Sequence, residues 1–391
     1  MAKLQSLHLL LLLVVHFFPP ARAVVYNIVG LGARADGWAD SSSALLRAWG
    51  LACRSPQPAT VYVPAGRFLL SKAAFSGPCR SPVTVRMDGT LVAPSYYGSS
   101  HDSSHEKWIE FDGVDGLSVY GGVLDGRGAA LWTCKASGRS CPAGITTLTF
   151  SDSKNVAVSG LTSINSKLYH VVIHGCRGVS LQGVQIVAPG NSPNTDGIHV
   201  QMSTGVTVTG AVIRTGDDCV SIGPGTTDLW IERVSCGPGH GISIGSLGKD
   251  YDEEGVQNVT VRSVVFTGTE NGVRIKSWGR PSTGFVRGVA FEHALMRDVE
   301  NPIIIDQNYC PHNRGCPNQK SGVQISQVRF YDIHGSSATQ VAVKLDCSQS
   351  SPCRGIGLQD IKLTYGNRPA QSLCEHVVGT AMGTMSPPSC L

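Results

Sequence analysis

Residues 178–184 read GVSLQGV, and the same phrase returns along the chain. It has a Gly, Asn or Asp, then aliphatic–x–aliphatic, then usually another small or aliphatic residue. The other instances are GLSVYGG at 116, NVAVSGL at 155, GVTVTGA at 205, DLWIERV at 228, NVTVRSV at 258, GVAFEHA at 288, GVQISQV at 322 and GIGLQDI at 355. From 155 onward they start 23, 27, 23, 30, 30, 34 and 33 residues apart. Alternation of period two means short strands with one face buried. Several such strands in a repeat of this length, with Gly and Asn at the corners, mark a solenoid. The reading is an all-β fold, a right-handed parallel β-helix with one coil stacked on the next. The 46 glycines suit it, because each coil turns sharp corners that need positive φ.

An open solenoid end exposes core. In DGWADSSSALLRAWGLAC, Asp40 or Ser41 can cap a short helix carrying Ala44, Leu45, Ala48 and Leu51 on one face, placed to plug the N-terminal end. It is the one helix expected. The tail from Arg368 to Leu391 would cover the other end. Residues 1–23 have Lys3, the apolar run LLLLLVV and Ala21-Arg22-Ala23, which together read as a secretory signal peptide. No composition break divides 24–391, which reads as a single catalytic domain, secreted and monomeric.

Removing 1–23 takes Lys3 and Arg22 from the 32 basic residues, leaving 30 against 28 acidic. A mature charge of about +2 is too weak for a nucleic-acid binder, and no later segment is long and apolar enough to cross a membrane. Thirteen cysteines in a secreted chain read as disulfides with one thiol left over. The pairs by proximity are Cys53–Cys79, Cys134–Cys141, Cys219–Cys236, Cys310–Cys316, Cys347–Cys353 and Cys374–Cys390. Cys176 remains, expected to be a buried thiol. No CxxC pair suggests zinc. Asn258-Val259-Thr260 is an N-glycosylation sequon.

A second strand family carries chemistry. GIHV at 197, CVSI at 219, GISI at 241 and GVRI at 272 align, and the residues before them are Asp196, Asp218, His240 and Asn271. The first three are 22 residues apart, so they should stack as a ladder with ~5 Å rungs. Ile198, Val200, Val220, Ile222, Ile242, Ile244, Val273 and Ile275 then face inward, and His199, Ser221, Arg274 and Lys276 face outward. Asp217 precedes the ladder by one residue. Three carboxylates, an imidazole and two cations on one outer wall are costly unless used. Two carboxylates with different proton affinities are what glycoside hydrolysis needs. Asp217, crowded by Asp196 and Asp218, is the one expected to hold a proton. Arg274 and Lys276, expected to face solvent, could hold a substrate carboxylate. That suggests an acidic sugar polymer.

SPNTDG at 192–197, GDDC at 216–219, GHGISIGS at 239–246 and RIK at 274–276 closely resemble the motifs of the polygalacturonases, pectin-cleaving inverting glycoside hydrolases with this fold. DGxxDSS near the start and DQNYC at 306–310 are similar to the plant branch. The resemblance spans nearly all of 24–391. It implies a cell-wall enzyme acting on homogalacturonan without cofactor or metal. It implies Asp217 as general acid, Asp196 and Asp218 as the pair activating water, and His240 as the group that keeps the acid protonated. Asn194, Arg274, Lys276 and Tyr309 match residues that grip galacturonate. One tension is geometric: stacked carboxylates ~5 Å apart suit retention, whereas inversion needs ~6.5–9.5 Å.

His170, His174 and His312 read as structural or surface residues. Trp108, Trp132 and Trp230 could be sugar platforms, although Trp230 fits a strand cover better. The rival readings are a pectate lyase, a rhamnogalacturonan or xylogalacturonan hydrolase, and a non-catalytic wall-binding β-helix. A lyase would need Ca²⁺ held by several carboxylates and an arginine base.

Overall fold

The computed structural model describes residues 24–95, 107–311 and 314–391. The leader expected at 1–23 and His312 lie outside the described residues. The chain winds as a right-handed parallel β-helix. One sheet of 21 strands and another of 11 strands wrap a continuous apolar core. Pairing is parallel throughout the described residues except where Cys353–Tyr365 meets Arg368–Pro369.

The repeat phrase has a local cause. Its leading residue sits in the left-handed region at Asn155, Gly178, Gly205, Asp228, Asn258 and Gly288, with φ between 52° and 68°. Gly reaches this region without a Cβ penalty, and Asn and Asp tolerate it. The aliphatic residues that follow stack coil on coil: Val156, Val179, Val206, Leu229, Val259 and Val289 pair in series. The next coil departs from expectation. Val289 pairs with Val328, so the corner is Gln327 at φ 54° and not Gly322. The aliphatic spacing of Val323, Ile325 and Val328 fits either register, and packing chooses the later one.

The helix forms at Ser42–Cys53. Asp40 Oδ1, rather than the Ser41 side chain, accepts the Ser42 N–H at 2.9 Å. Its buried face is Ala44, Leu45, Ala48, Trp49 and Ala52, whereas Leu51 is exposed. Trp49 takes that place, with its ring 5.2 Å from Phe75 and 5.3 Å from Phe111. The end is closed by aromatic packing, continued by the stacked Phe111 and Phe150. A second helix, Ala129–Ala136, was not expected. It is short, buries only Leu131 and Cys134, and has no amphipathic period to betray it. At the other end Val377–Ser386 adds a parallel strand to Cys353–Tyr365, so the tail is a final coil as well as a cover.

The six proximity-based disulfides are the six in the structure. Cys176 is the free thiol, fully buried, and burial pushes its pKa up to about 11. Asn258 is exposed, on the sheet away from the acidic ladder. Among the described residues no helix is long and apolar enough to cross a membrane.

Candidate active site

Successive strands Ile198–Gln201, Val220–Ile222, Ile242–Leu247 and Asn271–Trp278 belong to the 11-stranded sheet. Ile198 pairs with Val220, Val220 with Ile242, and Ile242 with Val273. The register therefore sets Asp196, Asp218, His240 and Asn271 at one level on four coils. Asp217 is held beside them by a tight turn. Gly216 donates its N–H to Thr195 Oγ1 at 3.0 Å, and a Cβ there would meet the Ser192 carbonyl at 2.1 Å. Only glycine lets the two coils approach so closely. The Asp218 N–H then donates to Asp217 Oδ1 at 2.8 Å.

The carboxylates live in different surroundings. Asp218 Oδ1 accepts from Arg274 Nη2 and from Ser243 Oγ, and Oδ2 accepts from Lys276 Nζ, each at 2.8 Å. Burial acts to raise its pKa, but the two cations and these bonds win and hold it at about 2. Asp196 lies one coil away, where Ser221 and the charge of Lys276 favour its ionised form but are outweighed. Burial first, then the charges of Asp217 and Asp218, drive its pKa well above the ordinary range. Of the two ladder aspartates, the raised carboxyl is thus Asp196.

Asp217 meets His240 instead. Its Oδ1 lies 3.0 Å from His240 Nδ1, and the His240 N–H donates to the Asp217 carbonyl at 2.8 Å. His240 Nε2 is 3.3 Å from Glu270. Burial works against imidazolium, but the Asp217 hydrogen bond and the neighbouring acids outweigh it and raise the His240 pKa. The raised His240 pKa favours a proton on the ring that faces Asp217.

Arg274 and Lys276 correct the expectation of solvent-facing cations. Both leave the strand outward, yet both side chains are only 8% exposed, because they lie down along the wall to reach Asp218. Arg274 Nε also donates to Ser243 Oγ at 2.9 Å. Tyr309 stands over Lys276, its ring centroid 5.2 Å from Nζ. Asn194 sits apart, exposed in the turn before Asp196 with φ 58°.

Some site residues escaped the sequence reading. Glu270 stands one place before Asn271, as Asp217 stands before Asp218, so the same alignment could have found it. Ser243 shares the outward column of Ser221 and Arg274. Tyr169 was invisible; its ring stacks on His199 at 5.2 Å, and the Asp196 charge raises its pKa. His199 bridges Ser221 at 2.8 Å and Gln201 at 3.1 Å.

The side chains of His170, Trp108 and Trp230 do not reach these carboxylates, although the His170 backbone N–H donates to the Asp196 carbonyl at 2.9 Å. His170 is buried against Ser163, and burial lowers its pKa to about 3. Trp108 is buried and donates to the Leu70 carbonyl. Trp230 is partly exposed under Arg262, a strand cover. Asp217, Asp218 and His240 each present a ligand atom within 4.8 Å of the others. A metal there would have to displace Arg274 and Lys276, which already supply positive charge to Asp218.

The wall thus offers a proton held beside a carboxylate, an ionised carboxylate, a proton-avid one, and fixed cations. The model of the glycosyl hydrolases family 28 matches residues 53–385. A polygalacturonase of Prunus persica is 59% identical, covering 100% of both chains. A polygalacturonase of Nicotiana tabacum is 42% identical over 97% of this chain and 96% of that one. In fold, the endo-xylogalacturonan hydrolase of Aspergillus tubingensis aligns with a TM-score of 0.78 at 24% identity, covering 93% of this chain and 100% of that one. With its motifs, coils and relatives in agreement over nearly its whole length, the chain belongs to glycosyl hydrolase family 28.

Proposed function

We propose that this protein is a secreted polygalacturonase that hydrolyses the α-1,4-galacturonosyl linkages of homogalacturonan with inversion. The observation that carries the reading is the Asp217–His240 contact of 3.0 Å beside an Asp218 clamped by two cations. Asp217 donates the proton to the leaving glycosidic oxygen, and His240 keeps that proton in the pair. Asp196 takes the proton of the attacking water, since a carboxyl of raised pKa is the stronger base once ionised. Asp218 is too weak a base for that step and holds the water in line. One oxygen of Asp218 also lies within 4.8 Å of Asp217, closer than the ~6.5–9.5 Å of an inverting pair. Arg274 and Lys276 have donors beyond those given to Asp218 and can meet a uronate carboxylate. Tyr309, over Lys276, and Asn194, in the turn before Asp196, are the further galacturonate contacts of this reading.

The 1–23 leader, the six disulfides and the exposed Asn258 sequon support export to the cell wall, with 24–391 as one catalytic domain and pectin as the partner. The test is polygalacturonate incubated with the purified protein, with new reducing ends counted and the first-formed anomer read by proton NMR. β-Anomer confirms inverting hydrolysis. An unsaturated, EDTA-sensitive product would make it a lyase, cleavage of xylogalacturonan alone would move it to a related class, and no cleavage of any pectin would leave a wall-binding solenoid.

A further inference from the structure

We propose that Arg280 is a second anchor for substrate carboxylates, a specificity residue at the edge of this wall; this rests on the polyuronate reading above. A polyuronate carries a carboxylate on every sugar, whereas Arg274 and Lys276 sit deep in the wall and are both engaged with Asp218. A further carboxylate therefore needs a further cation. The strand that supplies Arg274 and Lys276 continues to Trp278 on the same outward side, and the chain then turns at Arg280.

Contacts run unbroken from the wall to that residue. Lys276 Nζ lies 5.2 Å from the Tyr309 ring, Tyr309 meets Trp278 edge-on at 5.4 Å, and the Arg280 guanidinium covers Trp278 at 5.5 Å. The position is built. The Arg280 N–H donates to the Trp278 carbonyl at 2.8 Å, and its own carbonyl accepts from Gly322 at 2.9 Å. Its Nη1 donates to the Lys249 carbonyl at 3.3 Å, which leaves the other guanidinium donors open.

Arg280 has no counter-ion among the described residues, unlike the exposed Arg233, Arg329 and Arg86, which pair with Glu232, Glu292 and Asp88. Arg177, Arg214 and Arg297 are also exposed without one, so what marks Arg280 is its place at the end of the contacts that start at Lys276. Among the described residues no carboxylate lies within 4.0 Å of Arg280. A guanidinium stacked on an indole, fixed by one carbonyl and left unpaired, is organised for a planar anion. Here that anion is the carboxylate of a sugar beyond the cleaved bond.

The test is trigalacturonate binding to protein carrying Asp217→Asn, so that the ligand persists, alone and combined with Arg280→Ala, Arg280→Gln or Arg280→Lys. The Ala and Gln changes should weaken binding about tenfold and the Lys change less, because a charge-assisted bond is lost or kept as a point charge. Added salt should shrink the difference. In the otherwise native enzyme, KM for polygalacturonate should rise similarly with kcat within about twofold, the signature of a lost ground-state contact. If Arg280→Ala misfolds, the Gln and Lys variants decide. Unchanged affinity and KM in folded variants of an enzyme that cleaves polygalacturonate would overturn Arg280 alone. A native protein that neither binds nor cleaves galacturonan would remove the substrate reading, and Arg280 with it.

Discussion

The same coils present two outer walls. On one, the outward residues Ser180, Thr207, Trp230 and Thr260 stack in register, and Glu232 pairs with Arg233 and Arg262 within reach of solvent. On the other, Asp196, Asp218, Arg274 and Lys276 are all buried. Both walls come from one repeat, so the strands do not account for the difference. The approach of charged side chains from neighbouring coils does. Where charges stay wet they are worth little; where they are dried against one another, each depends on its partners. Asp196 and Asp218, identical in residue and level, differ because only one has two cations.

The largest effect is expected at Asp217. Asp217→Asn keeps the shape, removes the transferable proton and should lower kcat by ~10²–10⁴, with the fold intact by circular dichroism. A variant retaining a tenth of native kcat would remove Asp217 from the acid role.

Next is the contrast between walls. Lys276→Ala withdraws one cation from buried Asp218 and should cost stability of about 3 kcal/mol, the low end for broken buried pairs because Arg274 and Ser243 remain. It should also raise KM for polygalacturonate. Arg262→Ala on the other wall should change stability by less than ~1 kcal/mol and leave KM alone. Equal losses from both variants in thermal melts would erase the distinction.

The pH profile sharpens it further. The raised His240 pKa keeps the Asp217–His240 proton bound to higher pH, so activity should fall only as pH rises through that value. His240→Asn should move this alkaline limb of kcat/KM downward. An unmoved limb would detach His240 from the acid.

A smaller effect has the opposite sign. The folded-state pKa of Asp196 is raised, so what it contributes is present below pH ~4 and lost as pH rises through the folded value. At neutral pH, Asp196→Asn should therefore raise Tm by a few degrees while abolishing activity. A lower Tm would mean that Asp196 is structurally satisfied as an anion.

The fold was legible because one residue class, Gly, Asn or Asp, recurs at each left-handed corner and aliphatics follow at period two. It failed at Gly322, where two registers were equally apolar and three-dimensional packing decided. The site ladder was legible because equal 22-residue spacing stacks equal positions. What could not be read was direction: Lys276 points outward by parity, yet its flexible stem bends to Asp218. Nor could spacing show which carboxylate would rise, since that depends on which coil receives the cations.

The central claim is that these stacked carboxylates are held apart in proton affinity, and isotope-edited NMR titration of the Asp196 and Asp218 carboxyl carbons tests it directly. Asp218 should stay ionised as pH falls toward about 2, its stabilising contribution present above the unfolded value and lost only on that descent, while Asp196 should take its proton well above the ordinary aspartate range. Two carboxyls titrating together near pH ~4 would contradict the account.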